Sequence, residues 1–220
     1  RVIRVLAQTA PLSILQPDAA GKLPANVCVQ LATAGASGKG PDVHKATLRA
    51  AARLRALVEA CPDALRARCE KGETPLLTAC GDKDGAPIAI IAVILELDSK
   101  SNGEPAALDA TKHGGDSPLH LLMKAPKPKL SALRMLLDSC DRLALVKNAS
   151  GTTPLHLALK AAHVEATMMM LSACPAAAAV PDAEGAYPLH LAIQSQAPEE
   201  VISAVLNVLR ACDMPGVRTG

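Results

Sequence analysis

The sequence predicts an all-α fold: one solenoid of helix-turn-helix repeats with short hairpin fingers, filling residues 1–220. Three observations predict it. A string of glycine, two residues, proline and leucine recurs at Gly72, Gly115, Gly151 and Gly185, with a weaker copy at Gly21. Eleven residues before each glycine an apolar stretch stops, at Ala10, Cys61, Glu104, Cys140 and Cys174. A fixed offset in five copies is the self-similarity of stacked supersecondary units. Lastly, the chain has no Phe, no Trp and one Tyr. Its interior must be built from Ala, Leu, Val, Ile and Met, which suits closely packed helix pairs rather than a deep globular pocket.

The clearest unit is 151–175. Thr153 can cap a helix, and Pro154 takes the first helical position, where a missing N–H costs nothing. Leu155, Leu157, Ala158 and Leu159 make a short apolar helix ending near Ala162. His163 and Glu165 open a second helix, whose run Met168, Met169, Met170 and Leu171 is expected to pack back on the first. Cys174-Pro175 stops it, since proline cannot continue a helix.

The same template, slid along the chain, gives units at about 10–61, 62–104, 105–140, 141–174 and 175–212. A helix at 1–9 precedes them, and 213–220 begins another finger. The expected helix pairs are 24–34 with 45–61, 74–80 with 87–97, 117–123 with 130–140, and 188–194 with 198–212. Successive glycines lie 51, 43, 36 and 34 residues apart, and the variable length is placed between paired helices, at 35–44, 99–103 and 125–129. Glu199 and Glu200 at the start of the last helix and Arg210 near its end suit the helix dipole.

Gly-x-Thr-Pro-Leu-His-Leu-Ala, followed by His-x-Glu and an apolar second helix, resembles the ankyrin repeat. The register matches from Pro154 to Ala173, and Pro-Leu-His stands three times in register, at His120, His156 and His190. The likeness covers 10–212 and is closest to divergent arrays of algae and protists. It implies that Gly72, Gly115, Gly151 and Gly185, with Pro75, Pro118, Pro154 and Pro188, build the turns and helix starts. It also implies that the three histidines hydrogen-bond backbone, and that His163 is structural. Asn26 and Leu77 replace the histidine in two units, and Leu23 and Tyr187 replace the threonine. The threonine–histidine hydrogen bond that the family implies lacks a partner there.

Seven cysteines, an odd count with no C-x-x-C or zinc spacing, read as reduced structural thiols of an intracellular compartment, cytoplasm or organelle interior. Cys80 should face inward, whereas Cys28 and Cys69 are the two expected near the surface. The longest apolar run, 88–97, is too short to span a bilayer. The glycine-rich stretch 35–41 lacks the ending of a phosphate-binding loop. No nucleophile elbow, metalloprotease helix, kinase signature or dinucleotide fingerprint occurs, so no enzymatic role, metal or other cofactor is expected.

Binding is the function that remains. The resemblance implies a concave face lined by fingers and first helices, with contact positions flanking the glycines: Arg68, Glu70, Lys71 and Glu73; Thr111, His113 and Asp116; Lys147, Ser150 and Thr152; and Glu184. On the first-helix ends they are Gln30, Asp82, Lys124, Lys160, Gln194 and Ser195. Each alone reads equally as a solvated polar residue. Residues 112–160 hold eight Lys or Arg against three Asp, a net of +5 in a chain of +2. That excess points to a protein partner with an acidic contact region. Small total charge and missing aromatics argue against nucleic acid, no small-molecule substrate is expected, and Lys124, Lys127 and Lys129 offer at most weak, indirect membrane contact. The expected role is an adaptor or scaffold, with a structural subunit of an organellar or membrane-associated complex, or a regulatory module of a longer enzyme or channel, as alternatives.

Overall fold

A computed structural model of the chain describes residues 14–36, 41–81, 87–99 and 115–211, and these are all-helical. The expected helix at 1–9, the unfinished finger at 213–220 and the turn after Gly81 lie outside them. Contacts divide the chain into two compact units, Arg1–His113 and Gly114–Gly220.

In the first unit the helices are α1 (Pro24–Ala36), α2 (Pro41–Ala60), α3 (Pro75–Gly81) and α4 (Ile88–Ser99). Here α1 packs on α2 and α3, while α4 packs on α2 and α3. Two layers result, one of short first helices and one of second helices. Helix α2 starts earlier than its apolar pattern suggests, because Pro41 can occupy a first turn whose N–H groups are unpaired anyway. Ser99 is the last residue of α4, so the segment beginning there follows the second helix of its repeat instead of separating the pair.

The second unit repeats the scheme with α5 (Pro118–Lys124), α6 (Leu130–Ser139), α7 (Pro154–Lys160), α8 (Val164–Ala173), α9 (Pro188–Gln194) and α10 (Glu199–Ala211). Helices α5, α7 and α9 lie side by side in one layer, and α6, α8 and α10 in the other. Leu119, Leu133, Leu136, Leu155, Ala158 and Met170 are fully buried between them. The methionine run does not pack as a block. Helical periodicity turns Met170 and Leu171 inward and leaves Met168 exposed.

The second helices α2, α6 and α8 each give way to a tight 3-10 turn, at Pro62–Leu65, Asp141–Leu145 and Pro175–Ala179. Cys61, Cys140 and Cys174 are the non-helical residues at those junctions. The turns bury Ala64 and Leu65, Leu143 and Ala144, and Ala177 and Ala178, which anchors each approach to a finger.

The short helices end in two ways. Ala125 is extended because a proline follows it, and this closes α5. Helices α7 and α9 instead end on left-handed residues, Ala162 (φ 54) and Gln196 (φ 52). Their bonds, His163 N–H to the Ala158 carbonyl and Ala162 N–H to that of Leu159, form a Schellman motif, repeated at Ala197 and Gln196.

Candidate functional site

Three of the fingers, those at Gly21, Gly151 and Gly185, are organised by an Asp or Asn three positions before the glycine, a role that the glycine-proline motif does not include. Asn148 Oδ1 accepts from the N–H groups of Ser150 and Thr152 and from the Thr152 hydroxyl. Asp182 Oδ1 accepts from Glu184 and Ala186, and Asp18 Oδ1 from Ala20 and Lys22. The visible signal was Asp or Asn at constant spacing before glycine, a turn former that bonds its own backbone. Those backbone bonds hold the Asp182 carboxyl below the usual carboxylate range. The glycines then supply the left-handed step. Gly151 has φ 70, and a Cβ there would lie 2.5 Å from the Ala183 Cβ of the next finger.

The repeat histidines join one repeat to the next. In α5 the Ser117 N–H donates to His120 Nδ1 at 3.1 Å, with the Ser117 hydroxyl at 2.7 Å. His120 Nε2 faces the Thr152 carbonyl at 2.9 Å. His156 repeats this with Thr153 and the Ala186 carbonyl, at 3.1 Å. A ring that accepts at Nδ1 and donates at Nε2 is the neutral Nε2–H tautomer. Burial pushes both rings below the ordinary histidine value, more than the facing carbonyls and nearby Asp116 and Asp182 raise them.

Asn26, in the histidine position of the first described repeat, does the same work. Its amide donates to the Glu73 carbonyl at 3.1 Å and the Thr78 hydroxyl at 2.8 Å. Its Oδ1 is buried without a partner among the described residues, the remainder of replacing a ring with an amide. Leu77, at the same position, is buried and has no donor. In the last described repeat Tyr187 N–H donates to His190 Nδ1 at 3.0 Å, and the ring itself is exposed. His163 immediately precedes α8, and its Nε2 lies 3.2 Å from the Ala125 carbonyl of the preceding repeat.

Of the expected contact positions, Arg68, Glu70 and Lys71 are exposed in the first unit, and Lys124, Lys147, Ser150, Lys160, Glu184 and Gln194 in the second. Glu73 and Ser195 are half-buried. Asp82, Thr111 and His113 lie outside the described residues. Two positions are not displayed. Asp116 is buried, taking the Lys124 ammonium at 2.5 Å and the Asn148 amide at 3.1 Å. Burial works to raise its carboxyl, but the bonds and charge of Lys124 and Asn148 outweigh it and hold it low. Thr152 is buried against Asn148. Both belong to the framework, and Lys124 is tied to it.

Among the contact positions of the second unit, Lys147, before Gly151, and Lys160, the last residue of α7, remain as exposed cations. The cysteines also differ from expectation. Cys28 and Cys69 are buried with Cys80 and Cys174, Cys28 in a core with Ile14, Leu57 and Ala64. Desolvation pushes the Cys80 thiol up to about 12. Among the described residues no three His, Cys, Asp or Glu side chains cluster to hold a metal, and no helix is long and apolar enough to cross a membrane.

A two-layer stack of paired helices with fingers and a histidine ladder defines a helical repeat protein. Residues 119–213 match the family model of ankyrin repeats in three copies, and this segment is an array of ankyrin repeats. A search of curated proteins returned no match to the chain. Ankyrin repeats are in general protein–protein interaction modules and typically non-catalytic.

Proposed function

We propose that the chain is an adaptor or scaffold whose finger and first-helix face in 115–211 binds an acidic segment of a protein partner. The observation carrying this is the division of labour among polar side chains. Asp116, Thr152, His120 and His156 are buried and bonded within the framework, while Lys147 and Ser150 in the finger and Lys160 at the end of α7 are exposed. Such a surface is held before the partner arrives, so association orders few side chains beyond the lysines themselves. Exposed ammonium groups at a finger and at the end of its first helix favour a carboxylate-rich strand or helix end and speed its encounter at low salt.

The test is Lys147→Glu with Lys160→Glu, leaving Lys124 alone because its loss would strand the Asp116 carboxylate. Partners cross-linked to the wild-type chain in its native extract are identified by mass spectrometry and recovered with each variant. Recovery at low salt should fall at least tenfold for the double variant. Unchanged recovery would remove this face as the site.

A further inference from the structure

Of the connectors between paired helices in the second unit, that of α5 and α6 is the longest. It runs over 125–129, against 161–163 between α7 and α8 and 195–198 between α9 and α10. Pro126 and Pro128 fix its path. Each locks its own φ and drives the residue before it, Ala125 or Lys127, toward extended backbone. Ala125 accordingly has φ -71 and ψ 140. His163 Nε2, 3.2 Å from the Ala125 carbonyl, ties this stiff segment to the start of α8. Between the connector and α8 lies a groove of about 280 Å³. Pro126, Pro128 and Leu130 line one wall, and Ala162, Val164 and Ala166 the other. Lys127 stands on the first wall and Glu165 on the second. Both are exposed, and among the described residues neither forms an ion pair with the other or with any other side chain.

We infer that this groove docks an extended segment of another protein in which an apolar side chain lies between an acidic and a basic residue. Small-molecule sites span roughly 300–1,000 Å³, and the smaller groove suits a peptide side chain instead. The apolar walls take that side chain, Lys127 takes the carboxylate, and Glu165 takes the ammonium or guanidinium. A segment carrying both charges is favoured over one carrying either alone, because a like charge brought against Lys127 or Glu165 is repelled. The prolines hold their wall in place before docking, so association orders little of it. The groove lies beyond the C-terminal ends of α5 and α7, whereas the fingers precede their first residues. It is a second site, independent of the finger face.

The experiment titrates the full chain, labelled for NMR, with four capped glycine-flanked heptapeptides and follows the amides of Lys127, Leu130 and 163–166. Three peptides carry a central Leu between Glu and Arg, between two Glu, or between two Arg. In the fourth, Gly replaces the Leu of the Glu/Arg peptide. The Glu/Arg peptide should shift these amides and bind at least threefold more tightly than the other three. Lys127→Glu should move the preference to the Arg/Arg peptide and Glu165→Lys to the Glu/Glu peptide, while Lys147→Glu in the finger leaves the wild-type ranking unchanged. Both groove variants exchange exposed side chains, and the rest of the amide spectrum checks that they fold. The inference is overturned if no peptide shifts the groove amides, if the Gly peptide binds as well as its Leu counterpart, or if the ranking is the same in both groove variants. It is also overturned if these amides shift with protein concentration alone, which would make a second copy of the chain the occupant.

Discussion

His120 Nε2 donates to the Thr152 carbonyl at 2.9 Å across thirty-two positions of sequence, while Nδ1 of the same ring accepts from Ser117. One side chain therefore caps its own helix and fastens the finger of the following repeat. Removing it costs in two places. His120→Ala leaves a buried carbonyl and a buried N–H unpaired and opens a cavity, a loss of roughly 2–4 kcal/mol. His120→Asn should lose clearly less, because Asn26 already makes the equivalent bond to the Glu73 carbonyl. Urea unfolding of both variants checks the order, and equal losses would mean that the cross-repeat bond contributes little.

The tautomer makes stability depend on pH, with a definite sign. Burial disfavours the imidazolium, and so both rings titrate below their ordinary value; protonation would also set an Nδ1–H against the Ser117 or Thr153 N–H. A folded value below the unfolded one means that the unfolded chain takes up protons first as pH falls. The stabilisation is complete above about pH 6.5 and is lost on acidification toward the folded values, at up to about 1.4 kcal/mol per pH unit for each histidine. Chemical denaturation between pH 7.5 and 5 should show this loss, reduced in His120→Asn. A flat profile would contradict it.

Two glycines with the same backbone conformation should respond differently to alanine. Gly151 has φ 70 and Gly185 has φ 81, so each substitution carries the left-handed penalty of about 1–2 kcal/mol. At Gly151 the new methyl also meets the Ala183 backbone nitrogen at 2.9 Å, whereas at Gly185 nothing lies within 4 Å. Thermal unfolding should place Gly151→Ala well below Gly185→Ala.

Ala162 poses the converse case. It holds φ 54 at the end of α7, where glycine carries no Cβ penalty. Ala162→Gly should raise stability by about 0.5–1 kcal/mol, the left-handed strain relieved less the entropy glycine loses. A decrease would show that the Ala162 methyl packs more than it strains.

Thiol accessibility tests the core. Cys61 and Cys140 are half-buried, while Cys28, Cys69, Cys80 and Cys174 are buried. Under native conditions a small alkylating reagent should modify the first pair well before the four others, read by mass spectrometry of peptides. Early modification of Cys80 would contradict the packing of α3.

The repeat was legible wherever one residue type serves one local purpose. Thr153-Pro154 marks a helix start by capping and fixed φ alone, and the Pro-Leu-His string found α5, α7 and α9 with their partners. What stayed hidden depends on partners far along the chain. Asp116 reads as a surface carboxylate until Asn148, thirty-two residues on, is folded against it. Asn26 reads as a defect in the histidine pattern until its amide is seen on the Glu73 carbonyl. The 3-10 turns could not be told from helix ends, since Pro-Asp-Ala-Leu and Pro-Ala-Ala-Ala-Ala suit either conformation. Burial of Cys28 and Cys69 is set by what packs over them, which no local spacing encodes.

The joint between repeats is observed most directly through the nitrogen resonances of His120 and His156 in the full chain at pH 7.5. Both rings should be neutral with the proton on Nε2, and the Nε2–H should couple across its hydrogen bond or exchange slowly. Rings that are protonated, or that carry the proton on Nδ1, would contradict the account that these side chains fasten one repeat to the next.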